Sequence, residues 1–247
     1  MTIRRVLVTG GSRGIGAAVV EAFAAGGDRV AIHYRTSQAL AAQLRDSLPG
    51  RGHVAVAADL RDPGAVRVAV DSAAELLGGL DVLVNNAADY VPHDLLDCSY
   101  DEWQQRWGRV LDTNLTGTAN VIWCAAQHMR TAGGGRIINI SSRGAFRGMP
   151  DAPAYGASKA GLNALGQSLA IALAPSGIAV TTVAPGPIDT ELVRKSPLAS
   201  QMSSQSPFQR TGRVEEVAAA VHWLASPHAE WASGGIVDLN GASYLRT

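Results

Sequence analysis

Two residues four positions apart, Tyr155 and Lys159, are of the types that can move a proton. They lie in a pattern that predicts a helix over 154–174, so both side chains share one helix face. Tyrosine has a reference pKa of about 10, and a nearby ammonium lowers it by favouring the phenolate. The pair therefore indicates proton transfer at a carbonyl oxygen. Taken alone, such a pair is also typical of an exposed helix face.

Further polar residues lie where they can join this pair. Ser141 and Ser142 follow an apolar run over 136–140 that predicts a strand, and Asn114 lies inside a long helical pattern over 100–130. Asparagine has a low helix propensity, which indicates either a task for its side chain or a helix kink or cap. Arg143 follows Ser142 directly and could contact a substrate, although an exposed arginine is the commoner interpretation.

A glycine-rich loop, Thr9-Gly10-Gly11-Ser12-Arg13-Gly14-Ile15-Gly16, joins the first predicted strand to the first predicted helix. Glycines allow a sharp turn and let the backbone approach a pyrophosphate, while the helix N-terminus offers free N–H groups. The loop predicts a dinucleotide site in the first strand-to-helix turn. The alternative is a tight glycine turn without a ligand.

The end of the second strand bears on which dinucleotide is bound. Sites for NAD place an acidic residue there to hold the ribose 2′-hydroxyl, but this chain has Tyr34 and Arg35. A guanidinium binds a 2′-phosphate well, and Arg13 of the glycine loop could reach the same phosphate. We therefore expect NADP, with two ordinary surface charges as the alternative.

Apolar runs and helical patterns alternate along the chain, which predicts an α/β fold with a doubly wound parallel sheet and helices on both faces. We place strands at 3–8, 29–33, 53–57, 81–84, 136–140, 178–183 and 236–239, and helices at 15–25, 37–47, 63–77, 100–130, 154–174 and 214–225. We expect one domain over residues 1–247. The segment 187–213, with weak helical pattern at 191–195, breaks the alternation and predicts a substrate lid or, alternatively, a solvated loop.

Composition argues against several other classes. Lysine plus arginine and aspartate plus glutamate both number 21, so no basic excess favours nucleic acid. The two cysteines, Cys98 and Cys124, fit a reduced cytoplasmic protein better than a secreted one. The first strand leaves no room for a signal peptide, and we find no apolar stretch that predicts a membrane span. The six histidines are scattered, so we expect no metal site.

Together these motifs resemble the short-chain dehydrogenase/reductase family over residues 3–240. The family's catalytic asparagine, serine, tyrosine and lysine correspond to Asn114, Ser142, Tyr155 and Lys159; Ser142 is preferred to Ser141 on its spacing to the tyrosine. The cofactor positions correspond to Gly10, Ser12, Arg13, Gly14, Ile15, Gly16, Tyr34, Arg35, Asp59, Leu60, Asn86, Ala87, Ala88, Tyr155, Lys159, Pro185, Gly186, Ile188 and Thr190. Ala88 departs from the family pattern, where glycine is usual.

The resemblance implies a Rossmann-type domain that reduces a ketone with NADPH. Tyr155 would donate the proton, Lys159 would lower its pKa and hold the nicotinamide ribose, Ser142 would bind the substrate oxygen, and Asn114 would position a water. A homo-tetramer or dimer is implied as well. The alternatives are an alcohol, sugar or steroid dehydrogenase and a catalytically silent dinucleotide sensor.

The resemblance extends to 3-oxoacyl-carrier-protein reductases, which present basic residues to an acidic carrier protein. The matching stretches here, 131–134 and 175–177, have only Arg130 and Arg136 close by. Recognition of a carrier protein is therefore left open. Tyr90, Phe146, Leu192 and Phe208 are candidates for the pocket wall or for ordinary packing.

Overall fold

The computed structural model describes residues 3–93, 95–195 and 199–246. Within these ranges a seven-stranded parallel sheet has the order β3-β2-β1-β4-β5-β6-β7. The strands are β1 Arg5–Val8, β2 Arg29–Tyr34, β3 Val54–Ala57, β4 Val82–Asn85, β5 Gly135–Ile140, β6 Ile178–Pro185 and β7 Ile236–Leu239. The strand order reverses between β1 and β4, which is where open parallel sheets bind ligands.

Helices cover both faces of the sheet. They are α1 Gly14–Ala25, α2 Gln38–Ser47, α3 Pro63–Leu77, α4 Tyr100–Leu111, α5 Thr118–Thr131, α6 Pro153–Leu173, α7 Glu191–Arg194, α8 Ala199–Ser204 and α9 Val214–Leu224. Neighbouring residues of β1 enter opposite cores, because successive strand side chains alternate. Val6 and Val8 join the core under α1 and α9, whereas Leu7 joins the core under α3 and α5. The predicted fold class is confirmed.

Local sequence explains several helix boundaries. The Asp62 carboxylate accepts hydrogen bonds from the Gly64 and Ala65 amides and thereby caps α3, which Pro63 opens. Ser99 and Glu102 form a reciprocal capping box at the start of α4. These caps satisfy backbone donors that the first helical turn leaves unpaired.

The predicted helix over 100–130 is not continuous. A π-helical turn, Asp112–Gly117, separates α4 from α5. Gly117 allows the turn to lie against the loop after β3, since a Cβ atom at this position would be 2.4 Å from the Leu60 carbonyl oxygen. Such π turns are frequent at functional sites, and this one carries Asn114.

The segment 187–213 leaves the sheet after β6 and returns close to its starting point. The Gly212 amide donates to the Pro187 carbonyl at 2.9 Å, and the Asp189 amide donates to the Gly212 carbonyl at 2.7 Å. The weak pattern at 191–195 forms the short helix α7, while α8 was not expected. Residues 196–198 of this segment, like the chain ends at 1–2 and 247, lie outside the described residues.

Candidate active site

The two residues expected to move a proton lie on α6, one turn apart, and face the end of β5. The Lys159 ammonium donates to the Ile140 carbonyl at 2.8 Å and lies 5.7 Å from the centroid of the Tyr155 ring. The helix starts at Pro153, whose missing N–H is not needed at a first helical position. The end of β5 and the first turns of α6 therefore form one polar pocket.

Burial dominates the protonation of this pair. It raises the pKa of the Tyr155 phenol, which a hydrogen bond with Ser142 opposes. Burial also lowers the pKa of Lys159 to about 8. Lys159 directs its ammonium to the Ile140 carbonyl, and the causes of the Tyr155 pKa shift do not include its charge, so a lowering of the tyrosine pKa by Lys159 stays a prediction. The phenol instead holds its proton at neutral pH, as a proton donor must.

The two adjacent serines have different partners. Ser142 Oγ accepts from the Gly144 amide at 3.0 Å and hydrogen-bonds Tyr155. Ser141 Oγ donates to the Lys159 carbonyl at 3.3 Å. The structure therefore brings Ser142 to the phenol and uses Ser141 to attach β5 to α6.

Asn114 is fully buried, and its side chain hydrogen-bonds the backbone of the loop that follows β4. Its Oδ1 accepts from the Asp89 amide at 2.7 Å, and its Nδ2 donates to the Asp89 carbonyl at 3.0 Å and to Ser158 Oγ at 3.1 Å. Both side-chain amide hydrogens are used, so a water held by Asn114 must donate to it, either at Oδ1 or at the backbone carbonyl. The adjacent Tyr90 packs edge-on against Tyr155, with 5.2 Å between ring centroids, so its position is compatible with the expected pocket wall.

The glycine loop is shaped by contacts that no side chain could enter. A Cβ atom on Gly16 would be 2.2 Å from the Gly10 carbonyl oxygen, and one on Gly10 would be 2.9 Å from the Ala87 Cα. Gly10 and Gly14 have φ of +61° and +56°, a region that favours glycine. Asn86 Nδ2 donates to the carbonyls of Thr9 and Gly10 and holds the loop in this shape.

The start of α1 is open to a ligand. Arg13 occupies the N-cap position without a capping hydrogen bond from its side chain. The first amides of the helix, from Gly14 to Gly16, therefore face a site suited to an anion. Ser12 is partly buried in the same turn, and Ile15 packs against the core under α1.

His33 is a supporting residue that sequence reasoning set aside. Its Nδ1 accepts from the Gly10 amide at 3.1 Å, and its Nε2 donates to the Ala58 carbonyl at 3.1 Å. This pairing requires the neutral ring, and burial lowers the pKa of His33 to about 4. The imidazole thereby ties the glycine loop to the end of β3.

A cavity of about 560 Å³ lies beyond Tyr34, where β2 and β3 end. Its lining includes Arg35, Arg61, Arg109 and Asp59. A hydrogen bond from Arg61 holds the pKa of Asp59 near 2, so this carboxylate is ionised. The lining does not include Arg13, whose charge instead acts on Glu191 of α7. Of the two arginines expected at a 2′-phosphate, the structure places only Arg35 here.

Arg35 already has a partner inside the chain. Its guanidinium lies 3.1 Å from the Asp89 carboxylate, which also accepts from Arg109 Nε at 3.0 Å. Burial raises the pKa of Asp89, but the Arg109 hydrogen bond and the charge of Arg35 outweigh burial, so the net pKa lies below its ordinary value. Asp89 thus takes one hydrogen bond from each of these two guanidinium groups and leaves their other donors available.

Four further residues expected at the cofactor lie at the end of β6 and just after it. A Cβ atom on Gly186 would be 2.9 Å from the Asn240 Cα, so the Pro185-Gly186 turn requires glycine. Thr190 caps α7 and lies against Gly14, whose added Cβ would be 3.5 Å from the threonine methyl. Ile188 is buried beneath them.

Ala88 fits its loop, because it is not among the non-glycine residues with positive φ. Leu60 is buried and supports Gly117 through its carbonyl. Of the other candidate wall residues, Phe146 stacks under Arg246 at 4.4 Å and Phe208 is exposed, while the Leu192 side chain lies outside the described residues. Across residues 3–93, 95–195 and 199–246, no cluster of side chains suits a metal ion and no helix is long and apolar enough to cross a membrane.

Known proteins share this arrangement over almost the whole chain. A family profile described as enoyl-(acyl carrier protein) reductase matches residues 10–241. An acetoacetyl-CoA reductase of Rhizobium meliloti is 38% identical, covering 98% of this chain and 99% of its own. The 3-oxoacyl-[acyl-carrier-protein] reductase FabG of Staphylococcus aureus is 36% identical, covering 98% of each.

Solved structures agree with these relatives. A short chain dehydrogenase from Burkholderia cenocepacia, crystallised in complex with NADP, superposes with a TM-score of 0.89 at 37% identity and 97% coverage of both chains. At these identities and coverages, a common fold and a common descent are not in question. The chain belongs to the short-chain dehydrogenase/reductase family of oxidoreductases, as its motifs predicted.

Proposed function

We propose that this protein reduces a ketone to a secondary alcohol with NADPH, using Tyr155 as the proton donor. The observation that carries the proposal is a half-buried phenol, that of Tyr155, beside Ser142 at the sheet edge that also holds the glycine loop, with its pKa raised by desolvation so that it keeps its proton. The cofactor fits what the residues offer: an uncapped helix start, glycine contacts that admit only backbone, and a cavity rich in arginine. Bound NADPH supplies the hydride.

The chain's own residues supply geometry and the proton. Ser142 directs the substrate oxygen toward the phenol, and Tyr155 donates its proton to that oxygen as the carbonyl becomes an alcohol. Lys159, buried and anchored on the Ile140 carbonyl, holds positive charge near the resulting phenolate. Asn114 fixes the loop that carries Asp89 and Tyr90, which keeps the pocket wall in place. The segment 187–213 covers the substrate.

The preference for NADPH is supported from two sides. No carboxylate follows β2 to repel a 2′-phosphate, and three guanidinium groups line the cavity there. The Burkholderia cenocepacia relative was crystallised with NADP. Asp59 is engaged by Arg61, so it adds little repulsion.

The proposed substrate class rests on the names of the relatives more than on the residues that line the pocket. Two of them are named for reduction of 3-oxoacyl thioesters, on coenzyme A or on a carrier protein. A thioester of this kind is the first candidate substrate here. Arg136 is engaged by Glu230 at 2.5 Å, which leaves Arg130 as the exposed basic residue near the ends of α5 and α6. This arrangement favours a coenzyme A or small ketone substrate over a carrier protein.

A homo-tetramer, or at least a dimer, is part of the proposal, as is a location in the reducing cytoplasm. The side chains of Trp123 on α5 and Ile171 on α6 are 63% and 80% exposed, which leaves large apolar groups in water. Both cysteines are unpaired, as a reducing compartment requires. Light scattering at micromolar concentration is expected to give two or four times the chain mass of 25.7 kDa. A monomer would contradict the assembly.

The reaction is tested by following NADPH oxidation with a panel of 3-oxo esters, thioesters and cyclic ketones. The wild type is expected to reduce at least one member, and Tyr155→Phe is expected to lose about 10²–10⁴-fold in kcat because it removes the general acid. NADPH fluorescence on titration checks that the variant still binds the cofactor. Near-normal turnover by the variant would contradict the role of Tyr155. Oxidation of alcohols by NADP⁺ without any ketone reduction would favour the dehydrogenase alternative.

A further inference from the structure

Most arginines in the described chain pair with a carboxylate. Arg4, for example, pairs with Asp28 at 2.6 Å, and Arg210 pairs with Glu216 at 2.7 Å. Arg143 and Arg147, like Arg13, Arg29, Arg51 and Arg130, lie within ion-pair distance of no aspartate or glutamate among the described residues, but these two alone of that group donate to one shared acceptor. Both lie in the loop that begins at Ser142.

These two arginines point to one place. The Arg147 amide donates to the Arg143 carbonyl at 3.0 Å, so the residues are one turn apart. Both guanidinium groups donate to the same oxygen, Gln205 Oε1, with Arg147 at 3.2 Å. Arg143 also reaches the Ser243 carbonyl at 3.5 Å. Two like charges thus converge on a neutral amide oxygen between the loop, the segment 187–213 and the chain after β7.

Such a pair is electrostatically unfavourable by itself. The Arg143 side chain is half-buried, and burial together with the charge of Arg147 lowers its pKa. An amide oxygen offers two lone pairs and no full charge, whereas a carboxylate or phosphate offers more acceptor sites and a negative charge. An oxyanion at this place would relieve the repulsion and satisfy the guanidinium donors that Gln205 leaves unpaired.

Resting on the proposed function, we propose that Arg143, with Arg147, binds an oxyanion carried by the substrate. Arg143 directly follows Ser142, and its guanidinium reaches Gln205 of the segment 187–213, which is the segment proposed to cover the substrate. The substrate is therefore an anionic ketone. Its charge is either the carboxylate of a short oxo acid or a phosphate of a longer thioester.

Matched substrate pairs test the proposal and separate the two sources. Acetoacetate is compared with its methyl ester, and acetoacetyl-CoA with the N-acetylcysteamine thioester, which lacks phosphate. Arg143→Gln is expected to lower kcat/KM for the anionic member of one pair by roughly 10–10²-fold, mainly through KM, since a charge-assisted hydrogen bond is lost. The decrease in kcat/KM for the neutral member of the same pair should be at least tenfold smaller. Arg143→Lys should recover part of the loss, and exposed Arg130→Gln serves as the matched surface control.

Gln205 distinguishes anion binding from a purely structural tie. Gln205→Glu places a carboxylate between the arginines, so it should raise thermal stability while it abolishes the preference for the anionic member. Gln205→Ala removes the tie but leaves both cations, so the preference should remain. If Arg143→Gln instead lowers both members of both pairs equally, or if Gln205→Glu keeps the preference, the arginines are structural and the proposal is overturned.

Binding provides a readout that does not need turnover. Calorimetric titration of the NADP⁺-saturated protein with acetoacetate, coenzyme A and the methyl ester should show tighter binding of one anion, lost in Arg143→Gln. If neither anion binds more tightly than the ester, the anion site is excluded even where ketones are reduced. If an anion binds through Arg143 but no ketone is reduced, the proposed reaction fails while the site stands.

Discussion

The glycine loop after β1 and the loop after β5 both carry residues of the active site, but they are held in different ways. The first is locked by short backbone contacts: Gly16 against Gly10, and Asn86 on two carbonyls of the loop. The second is held through long side chains, with Arg143 and Arg147 on Gln205. The locked loop serves a cofactor of fixed shape.

We expect the loop after β5 to adapt to different substrates. Its contacts to the segment 187–213 and to the chain after β7 are made by side chains, and several of its residues are exposed. Long flexible side chains can change partner at little cost, whereas a backbone contact at van der Waals distance cannot. We therefore expect substitutions near the glycine loop to affect the cofactor strongly, and those near the β5 loop to affect mainly the choice of substrate.

The largest expected effect comes from a matched pair of glycine substitutions, one at the glycine loop and one in the loop after β5. Gly16→Ala puts a methyl group 2.2 Å from the Gly10 carbonyl oxygen, so the loop must move and the phosphate site with it. NADPH affinity should fall by at least about 10²-fold, since roughly 3 kcal/mol of overpacking strain is introduced. Gly148→Ala meets nothing within 4 Å and should change stability by less than about 0.5 kcal/mol.

Fluorescence titration with NADPH and thermal unfolding measure the two glycine variants together. The comparison fails if Gly16→Ala binds NADPH normally, or if Gly148→Ala is as damaging as Gly16→Ala. A Gly16→Ala variant that unfolds at a much lower temperature but is restored towards the wild-type temperature by high NADPH concentrations would still show a loop whose shape depends on this contact.

The second-largest expected effect is a pH dependence of the folded state's stability, and it comes from His33 beside the glycine loop. The pKa of His33 falls from 6.5 to about 4 on folding, because burial favours the neutral ring that bridges Gly10 and Ala58. The unfolded chain therefore binds more protons between these values, and the folded state loses stability as the pH falls from about 6.5 to about 4. The full loss is about 3 kcal/mol.

Urea unfolding at several pH values measures this loss. His33→Gln should flatten the profile, since an amide can accept and donate without titrating. Burial also lowers the pKa of His222, so the difference between wild type and His33→Gln isolates His33. The pKa values of Asp59 and Glu216 are lowered from 3.8 and 4.5 to about 2, so these carboxylates remove stability as the pH falls below about 4.5, and the difference between the two proteins cancels this shared contribution. Identical profiles for the two proteins would exclude His33 as the group responsible.

How far the sequence predicts the site depends on the distance along the chain between partners. The Tyr155–Lys159 pair and the glycine loop are local patterns, and the structure places them at the sheet edge where the alternation of strands and helices predicted them. The low helix propensity of Asn114 left a helix kink or cap there as an alternative, but the π form of the turn at 112–117 was not predicted, because the apolar pattern of 100–130 does not record which carbonyl each amide bonds. His33 was missed because its partners lie 23 and 25 residues away.

The same reasoning explains why Asp89 was not expected at the cofactor site. Its contact with Arg35 spans 54 residues, and a loop carboxylate has no local sign of such a partner. The short helix α8 and the 3₁₀ turn at Pro227–Ala232 were missed as well, because neither is long enough to show a helical period.

The smallest expected effect concerns cofactor choice. It tests whether the cofactor side of the site also discriminates between NADPH and NADH. The Arg35 side chain is 38% exposed, so one charge-assisted hydrogen bond to a 2′-phosphate is discounted to about 1–2 kcal/mol. Arg35→Ala should then lower kcat/KM for NADPH by roughly 5–30-fold and leave NADH within about twofold.

Asp89 sharpens this last prediction, because its carboxylate competes with the phosphate for Arg35 and Arg109. Asp89→Asn keeps the backbone groups that Asn114 holds but removes the competing charge, so NADPH should bind a few-fold more tightly while NADH is unchanged. Steady-state kinetics with both cofactors separates these outcomes. Equal losses for NADPH and NADH in Arg35→Ala would mean that Arg35 does not read the phosphate. Weaker NADPH binding in Asp89→Asn would mean that Asp89 organises the arginines for the phosphate instead of competing with it.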